Sequence, residues 1–374
     1  MSEFTTRKIT DRAGTGAPSF TYGLNSGGSD SGLIGKAFTS SGSEPSSPAN
    51  GDLWYDSTND KLYYYVAGEF KQITHVNASN VWYGDRGVFA AGYNGTALSK
   101  QNVIQYIDIT TAGNATDFGD MLFSGYSLAG CSDGTYGVFF GGDDESAKRE
   151  EISYITISTT GNATDFGDLL DGTENMGATS DNTRGLCIGG EKQSGTYYSN
   201  NIEYVTIASP SNSTDFGDLS VARRYPVSGS NGTRAVSAGG QGASGRVNTI
   251  DYVTIQTTGD STDFGDSTVT RSEHGACSDE TRCIWGGGDA GSNTNTIDYV
   301  TTATTGNATD FGDLTNSVNS IVGTMNATIG IFAGGSSSTN VIQKITMQTT
   351  GNASDFGDLL NPTHGMGAAS GAAS

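Results

Sequence analysis

The chain has 374 residues and carries 40 acidic against 19 basic side chains, a formal charge of −21. That surplus of carboxylates excludes nucleic acid as a partner, because phosphate recognition needs clustered Lys and Arg. Hydrophobic residues make up only 34% while Gly numbers 55, so glycine has replaced side chains rather than polarity, and turn-rich β-architecture is expected over helices. Four cysteines (Cys131, Cys187, Cys277, Cys283) are too few for a disulfide scaffold at this length. Cys277 and Cys283 could face each other across a hairpin, or each could be a small buried apolar group. The opening MSEFTTRKIT has no apolar run, so neither a secretory signal nor membrane insertion is expected. Asn-x-Ser/Thr sequons such as Asn114, Asn162 and Asn307 are then read as turn residues.

Taken in chain order, residues 1–26 form an arm without periodic apolar pattern. Residues 27–50, GGSDSGLIGKAFTSSGSEPSSPAN, are Ser- and Gly-rich and read as a linker or a segment docked in extended form. Residues 51–76 predict a three-stranded β-meander: Leu53–Tyr55, Lys61–Val66 and Glu69–Ile73, separated by Ser-Thr-Asn-Asp and Ala-Gly turns. So small a sheet cannot make its own core. Trp54, Tyr63, Tyr64, Tyr65 and Phe70 are expected to cover another surface, a neighbouring subunit first of all.

From residue 80 to 374 the sequence repeats. The phenylalanines of six DFGD phrases, Phe118, Phe166, Phe216, Phe264, Phe311 and Phe356, are separated by 48, 50, 48, 47 and 45 residues, a period that indicates a solenoid or a propeller. Each copy holds two short apolar segments around a polar turn such as Ser278-Asp279-Glu280-Thr281, which is hairpin chemistry. Paired glycines follow, then an alternating strand such as Ile250, Tyr252 and Thr254, then a Gly-Asn turn and a fourth strand bearing the Phe. Four strands per copy and six copies predict an all-β, six-bladed β-propeller. Residues 81–92 look like a second strand lacking its first, and residues 364–370 like a first strand lacking its second. The two ends would therefore complete one split blade and remove the exposed sheet edges.

The glycine doublet with an aromatic in the third strand is similar to Kelch-type propellers, although the downstream Trp of that motif is missing. The phrase SDxTRG…GG…NTIEYVTI…TTGNATDFGDL more specifically resembles repeat proteins of marine bacteriophages. P.NGDLWYDS…KLYYYV.GEFKQI resembles a short module of phage tail and fibre proteins, and TTRKITDRAGTGAPSF (residues 5–20) resembles their N-terminal virion-attachment segments. The resemblance implies a virion structural protein on the particle exterior, assembled in the host cytoplasm. Arg7, Lys8 and Phe20 would anchor it to other virion proteins, the aromatic meander would assist assembly, and the propeller would bind a host-surface glycan or protein in the manner of a tail-fibre adhesin. A homo-oligomer, a trimer among phage fibres, follows from the same resemblance. A capsid decoration or head-fibre protein is the alternative.

The DFGD phrase admits two readings. Calcium needs six or more oxygens around one point, more than Asp165 and Asp168 supply. As a turn signature, Asn162 takes the turn, Asp165 bonds nearby backbone amides, Phe166 packs between sheets and Gly167 permits a bulge. A propeller glycosidase or oxidase would need paired carboxylates or a copper site. None is spaced as a motif, and His75, His274 and His364 are scattered. No enzyme activity, cofactor or metal is therefore expected. The SDxT and TTGNAT turns barely vary, whereas the segments after the glycine doublets and after DFGD vary freely, and these two sets fall at opposite ends of the strands. Varied positions are where a partner surface can be built. Lys148, Arg149, Lys192, Tyr197, Tyr198, Arg223, Arg224, Tyr225 and Arg271 are the candidates, Arg and aromatic side chains being the usual interface anchors.

Overall fold

The computed structural model describes residues 38–58, 61–66, 68–73, 82–195, 197–336 and 339–372. The anchoring residues Arg7, Lys8 and Phe20 lie outside them. The described residues form β-strands, turns and loops, and no helix. The chain divides into two compact units between Ser79 and Asn80.

In the first unit the expected meander is present, but it has four strands. Phe38–Ser41 pairs in parallel with Leu53–Asp56, which is followed antiparallel by Lys61–Val66 and Glu69–Ile73. Part of the segment read as linker is thus an edge strand. The aromatic residues pack on each other: Trp54 stacks on Tyr63 at 4.9 Å and meets Phe70 edge-on at 5.3 Å, and Tyr65 meets Phe70 at 5.0 Å. Trp54 is buried, its indole N–H donating to the Ser41 carbonyl at 3.2 Å. The added strand therefore gives the ladder an anchor within its own unit, while Tyr63, Tyr64, Tyr65 and Phe70 stay half-buried.

Among its described residues the second unit contains five four-stranded antiparallel sheets, a sixth in which two short strands extend a four-stranded core, and two short two-stranded ladders. Sheet I comprises Ala129–Ser132, Tyr136–Phe140, Glu151–Thr156 and Thr164–Asp168. Sheet II comprises Gly177–Ser180, Arg184–Ile188, Asn201–Thr206 and Thr214–Asp218. Sheet III comprises Val227–Ser230, Arg234–Ala238, Thr249–Thr254 and Thr262–Asp266. Sheet IV comprises Gly275–Ser278, Arg282–Gly286, Thr296–Thr301 and Thr309–Asp313. Sheet V comprises Val322–Met325, Ile329–Ala333, Val341–Thr346 and Ser354–Asp358. Sheet VI joins the C-terminal Gly367–Gly371 to Arg86–Ala90, Ser99–Asp108 and Thr116–Gly125.

The first strand of each sheet neighbours the first strand of the next, and that of sheet VI neighbours both sheet V and sheet I. Six apolar clusters lie between successive sheets, including one between V and VI and one between VI and I. Each DFGD Phe is at most 3% exposed. Five of them take a third-strand Tyr edge-on at 5.8–6.1 Å. The sixth, Phe356, lies 5.8 Å from the Lys344 ammonium. Cys277 and Cys283 project to opposite faces of sheet IV, into the clusters shared with sheets V and III, and both are free thiols. Adjacent strand positions alternate faces, which is why the hairpin does not bring the two sulfurs together.

The repeated polar residues link sheets rather than decorate them. Asn162 was expected to serve its own turn; its Oδ1 instead accepts the Asp120 N–H of sheet VI at 3.1 Å. Asn212, Asp260, Asn307 and Asn352 do the same for Asp168, Asp218, Asp266 and Asp313, and Asn114 closes the series on Asp358 at 3.1 Å. Asp165 is exposed and takes no part. Gly167 does sit at a register shift between Glu151–Thr156 and Thr164–Asp168, with φ 146°, and a Cβ there would fall 2.5 Å from the Ser211 backbone of sheet II. In the SDxT turns, Asp133, Asp181, Asn231, Asp279 and Asn326 each accept two backbone N–H groups further along the turn. Arg86, Arg184, Arg234 and Arg282 lie over a Tyr of their own sheet at 4.2–4.7 Å and donate to carbonyls of the next sheet.

Candidate functional site

The two ends of the sheets differ in chemistry. At the SDxT end Trp82 lies buried where the first strands meet: the Ser132 hydroxyl of sheet I donates to its carbonyl, and its ring fills the space beside Gly232 of sheet III. At the opposite end five of the six sheets are lengthened by a short antiparallel contact between the segment before the first strand and the segment after the second strand, and in sheet V a single bond from Ser336 N–H to Asn319 O at 2.8 Å takes its place. Thr173–Glu174 pairs with Glu191–Lys192, Thr363–His364 with Tyr93–Asn94, and Tyr126, Arg224 and Ser272 bridge to Asp143, Gln241 and Asp289. The variable segments are thereby raised into a rim of constant backbone.

Inside the rim is a cavity of about 280 Å³, lined by the residues that lead into all six first strands. One residue per copy there has left-handed backbone: Ser127, Asn175, Tyr225, Glu273 and Ser320, with φ between 52° and 58°, and Gly365 at 65°. Each lies nine residues after its DFGD Phe. Their backbones hydrogen-bond head to tail along the cavity in five of six links, the one between Glu273 and Tyr225 being absent among the described residues. The Ser127 N–H donates to Gly365 O at 2.7 Å, Asn175 to Ser127 at 3.1 Å, Tyr225 to Asn175 at 2.6 Å, Ser320 to Glu273 at 2.7 Å and Gly365 to Ser320 at 3.3 Å. Left-handed backbone costs a non-glycine residue about 1–2 kcal/mol, least for Asn and most for a bulky side chain. Five of six copies carry that cost, with Ser in two of them and Asn, Tyr and Glu in the others.

The rim beside sheets I–III gathers most of the residues singled out from the sequence. Lys148 Nζ lies 3.3 Å from Glu174 and 3.1 Å from Glu191, and Arg224 lies 2.7 Å from Glu191. The Arg224 guanidinium rests over Tyr197 at 4.5 Å and Tyr225 at 5.0 Å, hydrogen-bonds the Tyr197 hydroxyl, and lies 6.0 Å from the Tyr198 ring. Burial and then the neighbouring Glu191 hold the Glu174 carboxyl above its usual range. Tyr197 is 51% exposed. Arg149 belongs to a separate group with Asp144, Glu151 and the Phe123 ring. The Asp144 carboxyl is held down to about 2, first by the Ser146 hydroxyl. Lys192 reaches toward Glu203 at 3.9 Å.

Arg223 and Arg271 are not surface residues. Both side chains are 0% exposed, and each pairs with a third-strand carboxylate of its own sheet, Asp251 at 2.8 Å and Asp298 at 2.9 Å. Burial lowers Arg271 to about 10, so the guanidinium is still charged at neutral pH. In the other copies the carboxylate position holds Gln105, Ser153, Glu203 or Gln343, and Asp appears only where Arg stands in the preceding loop. That covariation between copies was the available sequence signal. Of the left-handed positions only Tyr225 was among the candidates; Ser127, Asn175, Glu273, Ser320 and Gly365, with the neighbours Tyr126 and His364, were missed, although a fixed offset at which the residue is not held constant between copies marks them. His274, by contrast, is buried at a position filled elsewhere by Leu128, Met176, Pro226, Ile321 and Met366.

Comparison with protein-family models and with curated proteins found no match.

Proposed function

We propose that the chain is a phage virion structural protein, tail-fibre or adhesin-like, whose second unit is a six-bladed, Kelch-like β-propeller with one recognition face. The propeller reading is supported by the cyclic order of the first strands, by the interfaces on both sides of sheet VI, and by the Asn114–Asp358 hydrogen bond that completes the Asn series. The observation that carries recognition is the asymmetry of the two ends: one holds repeated Asx turns, the other a rim on which Lys148, Glu191, Arg224 and Tyr197 converge. A repeated scaffold with side chains particular to each copy serves selective binding better than it serves packing. The virion assignment rests on the resemblance of phrases in the first eighty residues to phage tail and fibre proteins. In it the N-terminus attaches to other virion proteins and the rim meets a host-surface glycan or protein.

Localising a tag at the first twenty residues in intact particles by electron microscopy tests the assignment. Contact with tail proteins is the expected result; contact with the capsid lattice would make the chain a decoration or head-fibre protein instead. For recognition, purified chain should be retained on host cells, and the double change Tyr197→Ala/Tyr198→Ala should weaken retention at least tenfold. Unchanged retention would remove the rim from the mechanism.

A further inference from the structure

We propose that the cavity ringed by the six left-handed residues is a binding site for a single neutral hexopyranose, a proposal that rests on the recognition reading above and names the ligand class of that face. The groups facing the cavity decide the class. Asn175 is buried with 8% exposure, lines the cavity, and its side-chain amide has no hydrogen-bond partner among the described residues. An amide of that kind offers two donors and an acceptor. The Ser228 hydroxyl, also in the lining, is buried and unpartnered. Polar groups left unpaired at such low exposure are costly unless something completes them, and Asn175 lines the cavity while the Ser228 hydroxyl lies sealed beside it, against Gly177.

Two tyrosines two sheets apart, Tyr126 and Tyr225, belong to the same lining, with Met176, Ile321 and Met366 supplying apolar surface. The nearby charges are already engaged. Glu273 accepts from Asn319 at 3.0 Å and from the Ser320 hydroxyl at 2.8 Å, Glu174 pairs with Lys148, and Arg224 with Glu191. Among the described residues no Lys or Arg lines the cavity to receive a carboxylate or sulfate, and the local carboxylates would repel one. A ligand matching amide, hydroxyl and phenol while laying an apolar face on an aromatic ring is an uncharged polyol ring. Trp82 fills the far end of the axis, and about 280 Å³ lies at the lower limit of small-molecule sites, roughly 300 Å³, so one ring is accommodated rather than a chain.

The backbone adds a separate reason. Tyr225 occupies a left-handed position where the sixth copy has Gly365, so a bulky ring is kept where glycine suits the conformation better. Strain retained at one position of a repeated scaffold points to what the side chain does there.

The test is saturation-transfer NMR and calorimetry on the full chain with glucose, galactose, mannose, N-acetylglucosamine and N-acetylgalactosamine, and with glucuronate as the anionic control. At least one neutral sugar should bind with a dissociation constant at or below the millimolar range, and glucuronate should not. Asn175→Ala should weaken binding at least fivefold. Tyr225→Gly should weaken it at least tenfold while leaving the melting temperature unchanged or higher, a combination that a merely structural tyrosine would not give. Asp165→Asn, on an exposed outer strand, should behave as the parent. Absence of any neutral-sugar binding, equal binding of glucuronate, or unaltered binding in both cavity variants would overturn the proposal. Retention on host cells separates the two readings. Retention without sugar binding leaves recognition standing and removes the cavity site, whereas sugar binding without retention does the reverse.

Discussion

Changing Asp298 to Gln leaves Arg271 as a charge buried at 0% exposure without its carboxylate 2.9 Å away. The guanidinium keeps its bonds to the carbonyls of Trp285, Gly287 and Thr296, but carbonyl dipoles do not replace a counter-ion. Removing one partner of a buried ion pair costs about 3–5 kcal/mol. With roughly 2.1 cal/mol/K of unfolding entropy per residue over the roughly 290 residues of the second unit, that is a fall of about 5–8 °C in melting temperature. Sheet V supplies the rescue. There the equivalent positions are Val318 and Gln343, and Gln343 Oε1 accepts both the N–H and the hydroxyl of Thr315 at 2.8 and 2.9 Å. Sheet IV has Thr268 in the place of Thr315, already donating to Asp298. Arg271→Val together with Asp298→Gln should therefore return to within about 1 kcal/mol of the parent, since replacing a buried pair by well-packed neutral groups is often neutral or stabilising. Calorimetry and urea unfolding of the parent, both single variants and the double variant give the coupling. If Asp298→Gln melts like the parent, or the double variant is no better than that single one, the pair is not the buried unit described here.

Acid should destabilise the second unit through His274, whose pKa is held well below its usual value by burial and then by Arg271 and Arg223. A depressed folded pKa gives stability that is complete above about pH 6.5 and lost as pH falls below it, by about 1.4 kcal/mol per unit per proton. His274→Met, copying Met176 and Met366, should remove that contribution from a melting-temperature profile between pH 7 and 4.5, and an unchanged slope would assign it to other groups. Tyr225→Gly should raise stability by up to about 1 kcal/mol by relieving left-handed strain, and a clear loss measured in urea would mean that the tyrosine's packing outweighs its backbone cost. Removing residues 366–374 should expose Val88, Phe89 and Ala90, now at 0% exposure under Gly367–Gly371. Loss of the cooperative transition or aggregation on gel filtration is expected, and a melting curve matching the parent would contradict the cyclic arrangement.

The strands of each copy were legible because a period of two beside a fixed Asx turn admits few alternatives. The pairing of the two chain ends was legible because each end carried half of a repeat. Phe118 and its five counterparts could be assigned to the interior for the same reason: apolar identity at a fixed offset in every copy is a packing constraint. The strand at Phe38–Ser41 was not legible, since a polar edge strand has the composition of a linker. Nor was the role of Asn162, because its partner is the backbone of another copy 42 residues away, and spacing within one copy says nothing of that.

Arg223 and Arg224 show most sharply what sequence and tertiary structure each decided. Adjacent, identical and in a variable loop, both read as surface anchors. The sequence by itself determined an all-β chain of six four-strand copies, with constant turns at one end and varied segments at the other, because turn chemistry and alternation act over a few residues. Which arginine is sealed against Asp251 and which lies by Tyr197 and Tyr225 was decided by the neighbouring strands that leave one position partly open to water and take the other out of it. The cavity and its left-handed ring belong to the same level: they exist only where six first strands approach one another, and no single copy contains them.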